Sequence, residues 1–215
     1  MSDTRSQFIR FVLERRVLRF GEFTLKSGRV SPYFFNTGLI DSGAAIAALG
    51  SWYADALIAH GIPFDMLYGP AYKGIPLATA TAIALHNVHG RDVPFAFNRK
   101  VVKDHGEGGS LVGAPLQGRV IIIDDVISAG TSVAESVERI NAAGATPAGV
   151  AIAMDRQEKG WSELTAVEDV EQRWGIPVIP IITLDDLVAW LERDAGLADE
   201  LIRMRAYRET YGRTC

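Results

Sequence analysis

The run Ile121-Ile122-Ile123-Asp124-Asp125, continuing through Val126-Ile127-Ser128-Ala129-Gly130-Thr131-Ser132, constrains this chain more than any other stretch. An unbroken β-branched segment predicts a strand buried on both faces, as in the middle of a parallel sheet. Helical spacing from Thr131 to Ala143 follows it, so the small residues between form a strand-to-helix loop. At such a junction the first amides of the helix point outward and favour an anion. Ser128, Ala129, Gly130, Thr131 and Ser132 can therefore wrap a phosphate without a basic side chain. Asp124 and Asp125 stand one step earlier, placed for sugar hydroxyls or a magnesium-bound ligand. A sugar phosphate fits the pattern, although an acidic pair can also cap a helix and a small-residue loop can be only a turn.

With 215 residues, 48% of them hydrophobic, the chain can bury one good core, which predicts a single domain over 1–215. Residues 1 to about 40 are expected to form an N-terminal helix and a hood. No apolar run reaches membrane-spanning length, and Met1-Ser2-Asp3-Thr4-Arg5 lacks the apolar centre of a signal peptide, so no membrane partner and a cytoplasmic location are expected. A net charge of −4 argues against a nucleic-acid partner, while Arg99, Lys100 and Lys103 beside His105 gather local positive charge for a small anion. The lone Cys215 makes thiol catalysis improbable.

Phe8, Ile9, Phe11, Val12 and Leu13 predict an amphipathic helix over Gln7 to Arg16, and Phe23 to Phe35 reads as a small hairpin around Ser27-Gly28, the hood. A helix from about Ser42 to His60, a strand at Asp65 to Tyr68, a helix from about Gly74 to His86 and a strand near Pro94 to Phe97 come next. The strand Val120 to Asp125 and the helix after Thr131 precede a strand at Ala148 to Met154, a helix at about Ser162 to Trp174 and a strand at Val178 to Thr183. Such alternation predicts an α/β fold, a central parallel sheet flanked by helices on both faces. Leu184 to Arg208 reads as one or two surface helices.

Ligands of open parallel sheets lie beyond the carboxyl ends of the strands, which directs attention to the loops there. Gly69-Pro70-Ala71-Tyr72-Lys73-Gly74 is tight, with backbone amides and the Lys73 ammonium available to a second phosphate; a plain turn with a solvated lysine is the alternative. Asn98 to Ser110 carries Arg99, Lys100, Lys103 and His105 before Gly106-Glu107-Gly108-Gly109, the composition of a hinged lid over a polyanion or of a solvated loop. Arg156, just past a predicted strand, could grip a planar carboxylate or form a surface salt bridge. Phe34 and Phe35 fit a core better than a ligand platform, although their amides can still touch a flat ring; Lys26 is similarly ambiguous, and His60, His86 and His89 read as structural.

These residues resemble the type I phosphoribosyltransferases, and more specifically the bacterial orotate phosphoribosyltransferases, over nearly the full length. The run Ile121 to Ser132 is similar to the phosphoribosyl diphosphate signature of the superfamily. Phe20 to Arg29 with Ser31 to Asn36, Gly69 to Pro76, and Phe97 to Lys100 with Lys103 to Gly108 are similar to segments of the orotate branch. The resemblance implies the type I phosphoribosyltransferase fold and transfer of ribose 5-phosphate from phosphoribosyl diphosphate to N1 of orotate, giving orotidine 5'-monophosphate and diphosphate in pyrimidine synthesis. It also implies magnesium, held mainly through substrate with no direct protein ligand, and a homodimer with shared active sites. By position, the stretch Asp124, Asp125, Val126, Ile127, Ser128, Ala129, Gly130, Thr131 and Ser132 would bind the donor, the last five holding its 5-phosphate. Tyr72, Lys73 and Arg99 would hold its diphosphate, and Lys100, Lys103 and His105 would reach into the neighbouring subunit's site. Lys26, Phe34, Phe35, Ser128 and Arg156 would surround orotate, with Lys26 also touching the donor; Lys103, His105 and Lys73 are the expected catalytic groups. Serine at 128, where relatives often carry threonine, preserves the hydroxyl. A transferase for a purine or uracil, and a regulatory protein that only senses phosphoribosyl diphosphate, are the competing readings.

Overall fold

The computed structural model describes residues 3–25, 28–103, 109–128, 130–159 and 164–212, with 100–103 and 109 described by backbone alone. Helix α1 (Thr4–Glu14) is capped by Asp3 and leads into β1 (Leu18–Thr24) and β2 (Val30–Phe35), an antiparallel pair with a bulge between Phe20 and Phe23. This is the expected hood. Helix α2 (Gly43–His60), β3 (Met66–Gly69), α3 (Gly74–His89) and β4 (Phe95–Lys103) follow. Next come β5 (Gly109–Gly113), β6 (Arg119–Asp124), α4 (Thr131–Ala142), β7 (Thr146–Asp155), α5 (Ala166–Trp174), β8 (Val178–Thr183), α6 (Leu184–Leu191) and α7 (Ala198–Tyr211).

Six strands form the main sheet in the order β5-β4-β3-β6-β7-β8. Five run parallel, while the edge strand β5 is antiparallel to β4. Strand β6 lies inside the sheet, and its side chains alternate between two cores. Ile121 and Ile123 face the cluster built with α1, α2, α3, α6 and α7, whereas Val120 and Ile122 face the one built with α4 and α5. Burial on both faces is why this strand reads as a continuous apolar run.

Two expectations need correction. The segment Asn98 to Ser110 is not a loop throughout: it is strand up to Lys103 and strand again from Gly109. Charge and glycine suggest a loop, whether a lid or a solvated one, yet Val101 and Val102 interrupt that charge with strand-forming residues. The C-terminal helices are not surface helices alone. Leu184, Leu187, Val188, Leu191, Met204 and Tyr207 are buried, and α7 packs against β2. Among the described residues, no helix is long and apolar enough to cross a membrane.

Candidate active site

The carboxyl end of β6 delivers Asp124 and Asp125 side by side, both buried. Asp124 Oδ2 accepts the Ser132 hydroxyl at 2.8 Å, and Asp124 Oδ1 accepts the Asp125 amide at 2.9 Å. The Tyr53 hydroxyl of α2 donates to the Asp124 carbonyl at 2.7 Å, tying helix to strand end. Burial, followed by the neighbouring Asp125 charge, pushes the Asp124 carboxyl up to about 6, against the lowering effect of the Ser132 bond. Asp125 Oδ1 accepts the Val126 amide, and its Oδ2 accepts Lys73 Nζ at 2.6 Å and the Thr37 hydroxyl at 3.3 Å.

Beyond the acidic pair, Gly130 turns the chain into α4 with φ of 71°, a conformation that glycine adopts freely. Among the described residues no side chain caps this helix, and its first-turn amides, which have no partner inside the helix, can receive an anion. Ser128 and Thr131 are exposed at the same place. A cavity of about 720 Å³ opens here, bounded by Asp124, Ser128, Gly130, Thr131 and Ser132 on one side and by Ala71, Asn98 and Arg99 on the other; Val126 and Ile127 also line it. Lys73 and Tyr72 line a neighbouring cavity of about 490 Å³ with Thr37.

The loop between β3 and α3 makes an unusually close turn. A Cβ at Gly69 would meet the Gly74 carbonyl at 2.1 Å, so only glycine fits. The Ala71-Tyr72 peptide bond is cis, and the Tyr72 side chain is exposed.

Arg156 follows β7 and lies under the hood. Its guanidinium donates to Glu158 Oε1 at 2.6 Å and to the Ser31 hydroxyl at 3.3 Å, and it covers the Tyr33 ring at 4.2 Å. Glu158 also accepts the hydroxyls of Tyr207 and Tyr33, at 2.9 and 3.3 Å. The two charged groups are 13% and 14% exposed, so the surface salt bridge that position alone allowed is instead a largely but not fully buried pair. Phe35 is in the core and can meet a ligand only through its backbone, whereas Phe34 is half-buried against Phe23 and the Arg19 guanidinium.

Of the residues expected at the site, Asp124, Asp125, Ser132 and Lys73 are brought into one bonded cluster. Val126, Ile127, Ser128, Gly130, Thr131 and Arg99 line the adjoining cavity. Arg156 joins the hood instead. Lys26, His105 and Ala129 lie outside the described residues, as do the side chains of Lys100 and Lys103. Thr37, Tyr53, Asn98, Glu158 and Tyr207 had no expected role. Only Tyr207 carried a signal, the apolar spacing Met204, Tyr207, Tyr211 on one helix face.

Among the described residues, no group of three or more His, Cys, Asp or Glu side chains could enclose a metal ion. Asp124 and Glu135 are the acidic residues that line the larger cavity, and the carboxylates of Asp124 and its neighbour Asp125 are already bonded by Ser132 and by Lys73 and Thr37.

A mainly parallel sheet, an acidic pair at a central strand's carboxyl end and an uncapped helix N-terminus beyond it define a sugar-phosphate-binding α/β protein. Comparison with known proteins narrows this class. The phosphoribosyl transferase domain family matches residues 39–173. An orotate phosphoribosyltransferase of Laribacter hongkongensis is 62% identical over 212 residues, covering 99% of both chains. That of Thioalkalivibrio sulfidiphilus is 60% identical, covering 99% of this chain and all of the relative. The crystal structure of orotate phosphoribosyltransferase from Francisella tularensis superposes with a TM-score of 0.87 at 40% identity, covering 96% of this chain and 99% of that one. The chain belongs to the phosphoribosyltransferase family, within its orotate phosphoribosyltransferase branch.

Proposed function

We propose that this chain, acting as one domain over 1–215, joins orotate to the ribose 5-phosphate of phosphoribosyl diphosphate, releasing diphosphate and orotidine 5'-monophosphate. The observation that carries the reading is the uncapped α4 N-terminus directly after the buried Asp124-Asp125 pair. The relatives' shared name supports the choice of acceptor.

The 5-phosphate sits on the amides and hydroxyls of Ser128, Ala129, Gly130, Thr131 and Ser132, where the helix dipole adds to the hydrogen bonds. Asp124 and Asp125 receive the ribose hydroxyls. Tyr72, Lys73 and Arg99 take the diphosphate, helped by Lys100, Lys103 and His105 of the neighbouring subunit in a homodimer. Lys26, Phe34, Phe35, Ser128 and Arg156 surround orotate, Arg156 meeting its carboxylate with the planar fork that a guanidinium presents.

As the bond from the anomeric carbon to diphosphate breaks, its electron pair leaves with the diphosphate oxygen. Positive charge develops on the sugar, orotate N1 bonds to the anomeric carbon, and the N1 proton passes to an oxygen of the departing diphosphate. Lys73 and Lys103 stabilise the departing charge, and water is excluded so that the activated ribose is not hydrolysed. Lys103, His105 and Lys73 are the catalytic groups. Magnesium fits this donor set as an ion shared with substrate oxygens, with Asp124 and Asp125 near the ribose hydroxyls rather than forming a cage. When bound it supplies neutralisation of the diphosphate charge. The enzyme works in the cytoplasm, with neither membrane nor nucleic acid as a partner.

The test is to mix the protein with orotate, phosphoribosyl diphosphate and magnesium and follow orotate's ultraviolet absorbance. Depletion of orotate, with no nucleotide formed when uracil or a purine is supplied instead, supports the reading. No depletion by a folded protein, or preference for another base, defeats it.

A further inference from the structure

The loop at 70–73 is anchored from outside itself. The Ala71 amide donates to Asn98 Oδ1 at 2.8 Å, and the Tyr68 hydroxyl donates to the same oxygen at 3.0 Å. Tyr68 and Asn98 belong to adjacent parallel strands, with Tyr68 in register with Ala96. Arg139 of α4 donates to the Ser110 hydroxyl of β5 at 2.6 Å. The Asn98 side chain therefore ties the Tyr68 hydroxyl of β3 to a backbone amide of the loop.

The Ala71 N–H, which can only donate, fixes the orientation of the Asn98 amide, since a flip would set its NH2 group against that donor. The side chain lines the large cavity on the side that carries Arg99.

We propose that Asn98 is the positioning residue of the 70–73 loop. By holding Ala71 it sets the backbone from which Tyr72 and Lys73 project, and so governs affinity for the diphosphate group. This rests on the reading that the loop holds diphosphate. A merely structural Asn98 would weaken every ligand alike. A positioning Asn98 affects only ligands that carry a diphosphate, and orotidine 5'-monophosphate, which occupies the same phosphate cradle, is the internal control.

Calorimetric titration of inorganic diphosphate, phosphoribosyl diphosphate and orotidine 5'-monophosphate, each with magnesium, separates these cases. For Asn98→Ala, diphosphate and phosphoribosyl diphosphate should bind roughly tenfold more weakly while the nucleotide changes by less than about twofold, as for loss of a polar anchor. Tyr68→Phe keeps the Ala71 bond and removes one support, so a smaller loss, about two- to threefold on the same two ligands, is expected. Should Asn98→Ala not fold, Tyr68→Phe alone decides. Unchanged diphosphate affinity, or an equal loss on all three ligands, overturns the proposal while the functional reading stands. A wild-type protein that binds neither diphosphate nor phosphoribosyl diphosphate defeats that reading and the inference with it.

Discussion

Lys73 Nζ bonds Asp125 Oδ2 at 2.6 Å, so the cation assigned to the diphosphate is also the partner of a carboxylate assigned to the ribose. Half of the lysine side chain is exposed while Asp125 is buried, which lets the ammonium leave with little disturbance. Asp125 would keep the Thr37 hydroxyl and the Val126 amide. Lys73→Ala should therefore change stability by about 1 kcal/mol or less, as expected of a solvent-screened pair. Its kcat/KM should fall roughly ten- to a hundredfold through loss of leaving-group stabilisation. Steady-state kinetics beside a thermal melt checks both, and full activity would remove Lys73 from the chemistry.

Asp125→Asn removes the carboxylate that holds Lys73. Free diphosphate should then bind several times more tightly, by about 1 kcal/mol, because the ammonium no longer exchanges one anion for another. Turnover with phosphoribosyl diphosphate should fall, since the ribose hydroxyls lose a charged acceptor and one of its two oxygens. Titration calorimetry and kinetics moving in the same direction would contradict the exchange.

Asp124 gives a pH signature. Its folded carboxyl is raised to about 6, above the ordinary value of 3.8, mainly by burial. The folded state thus holds a proton that the unfolded state releases, and stability falls as pH rises between these two values. Asp124→Asn keeps both neighbouring bonds in reach, because the Ser132 hydroxyl can accept from an amide. Relative to this variant, wild type should lose melting temperature from about pH 4 to about pH 6 and change little above, with the variant the more stable at pH 8. A difference that is flat with pH would show that Asp124 is not held up by the fold. The variant should also be the poorer enzyme, a trade common at functional sites.

Much of this was legible in the chain for one reason: a strand buried on both faces cannot hide among polar residues. Ile121 to Ile123 announced both the sheet and the place where the site begins. The Gly69 to Gly74 turn was legible because close approach demands glycine. What escaped notice was long-range. Tyr53 bonds a carbonyl 71 positions away, and Tyr207 reaches Glu158 from a helix whose outward charges made it look solvated. Asn98 stands at the head of a basic segment in the sequence, while its partner Ala71 lies 27 positions back. Arg156 showed its location in the chain but not its buried counter-ion, since spacing of two within a loop says nothing about burial.

That counter-ion makes Arg156 costly to remove. Arg156→Ala leaves Glu158 buried against two tyrosines, and about 3 kcal/mol or more of stability should be lost. Arg156→Lys restores the charge without the fork, so stability should largely return while KM for orotate stays elevated. Chemical denaturation with orotate kinetics tests this split. Recovery of KM in the lysine variant would mean that charge alone, not the planar guanidinium, recognises the acceptor.

If Lys103 acts across a dimer interface, two crippled variants can complement each other. Lys103→Ala and Asp125→Asn homodimers each carry a defect in every site. A hybrid dimer would gather both defects in one site and leave the other intact. With random exchange, half the dimers are hybrids with one good site each, so about a quarter of wild-type activity should appear on mixing. Activity assayed before and after subunit exchange, with exchange followed by native mass spectrometry, provides the measurement. Proven exchange with no gain would place Lys103 in the site of its own subunit, because both variants would then remain broken in every pairing.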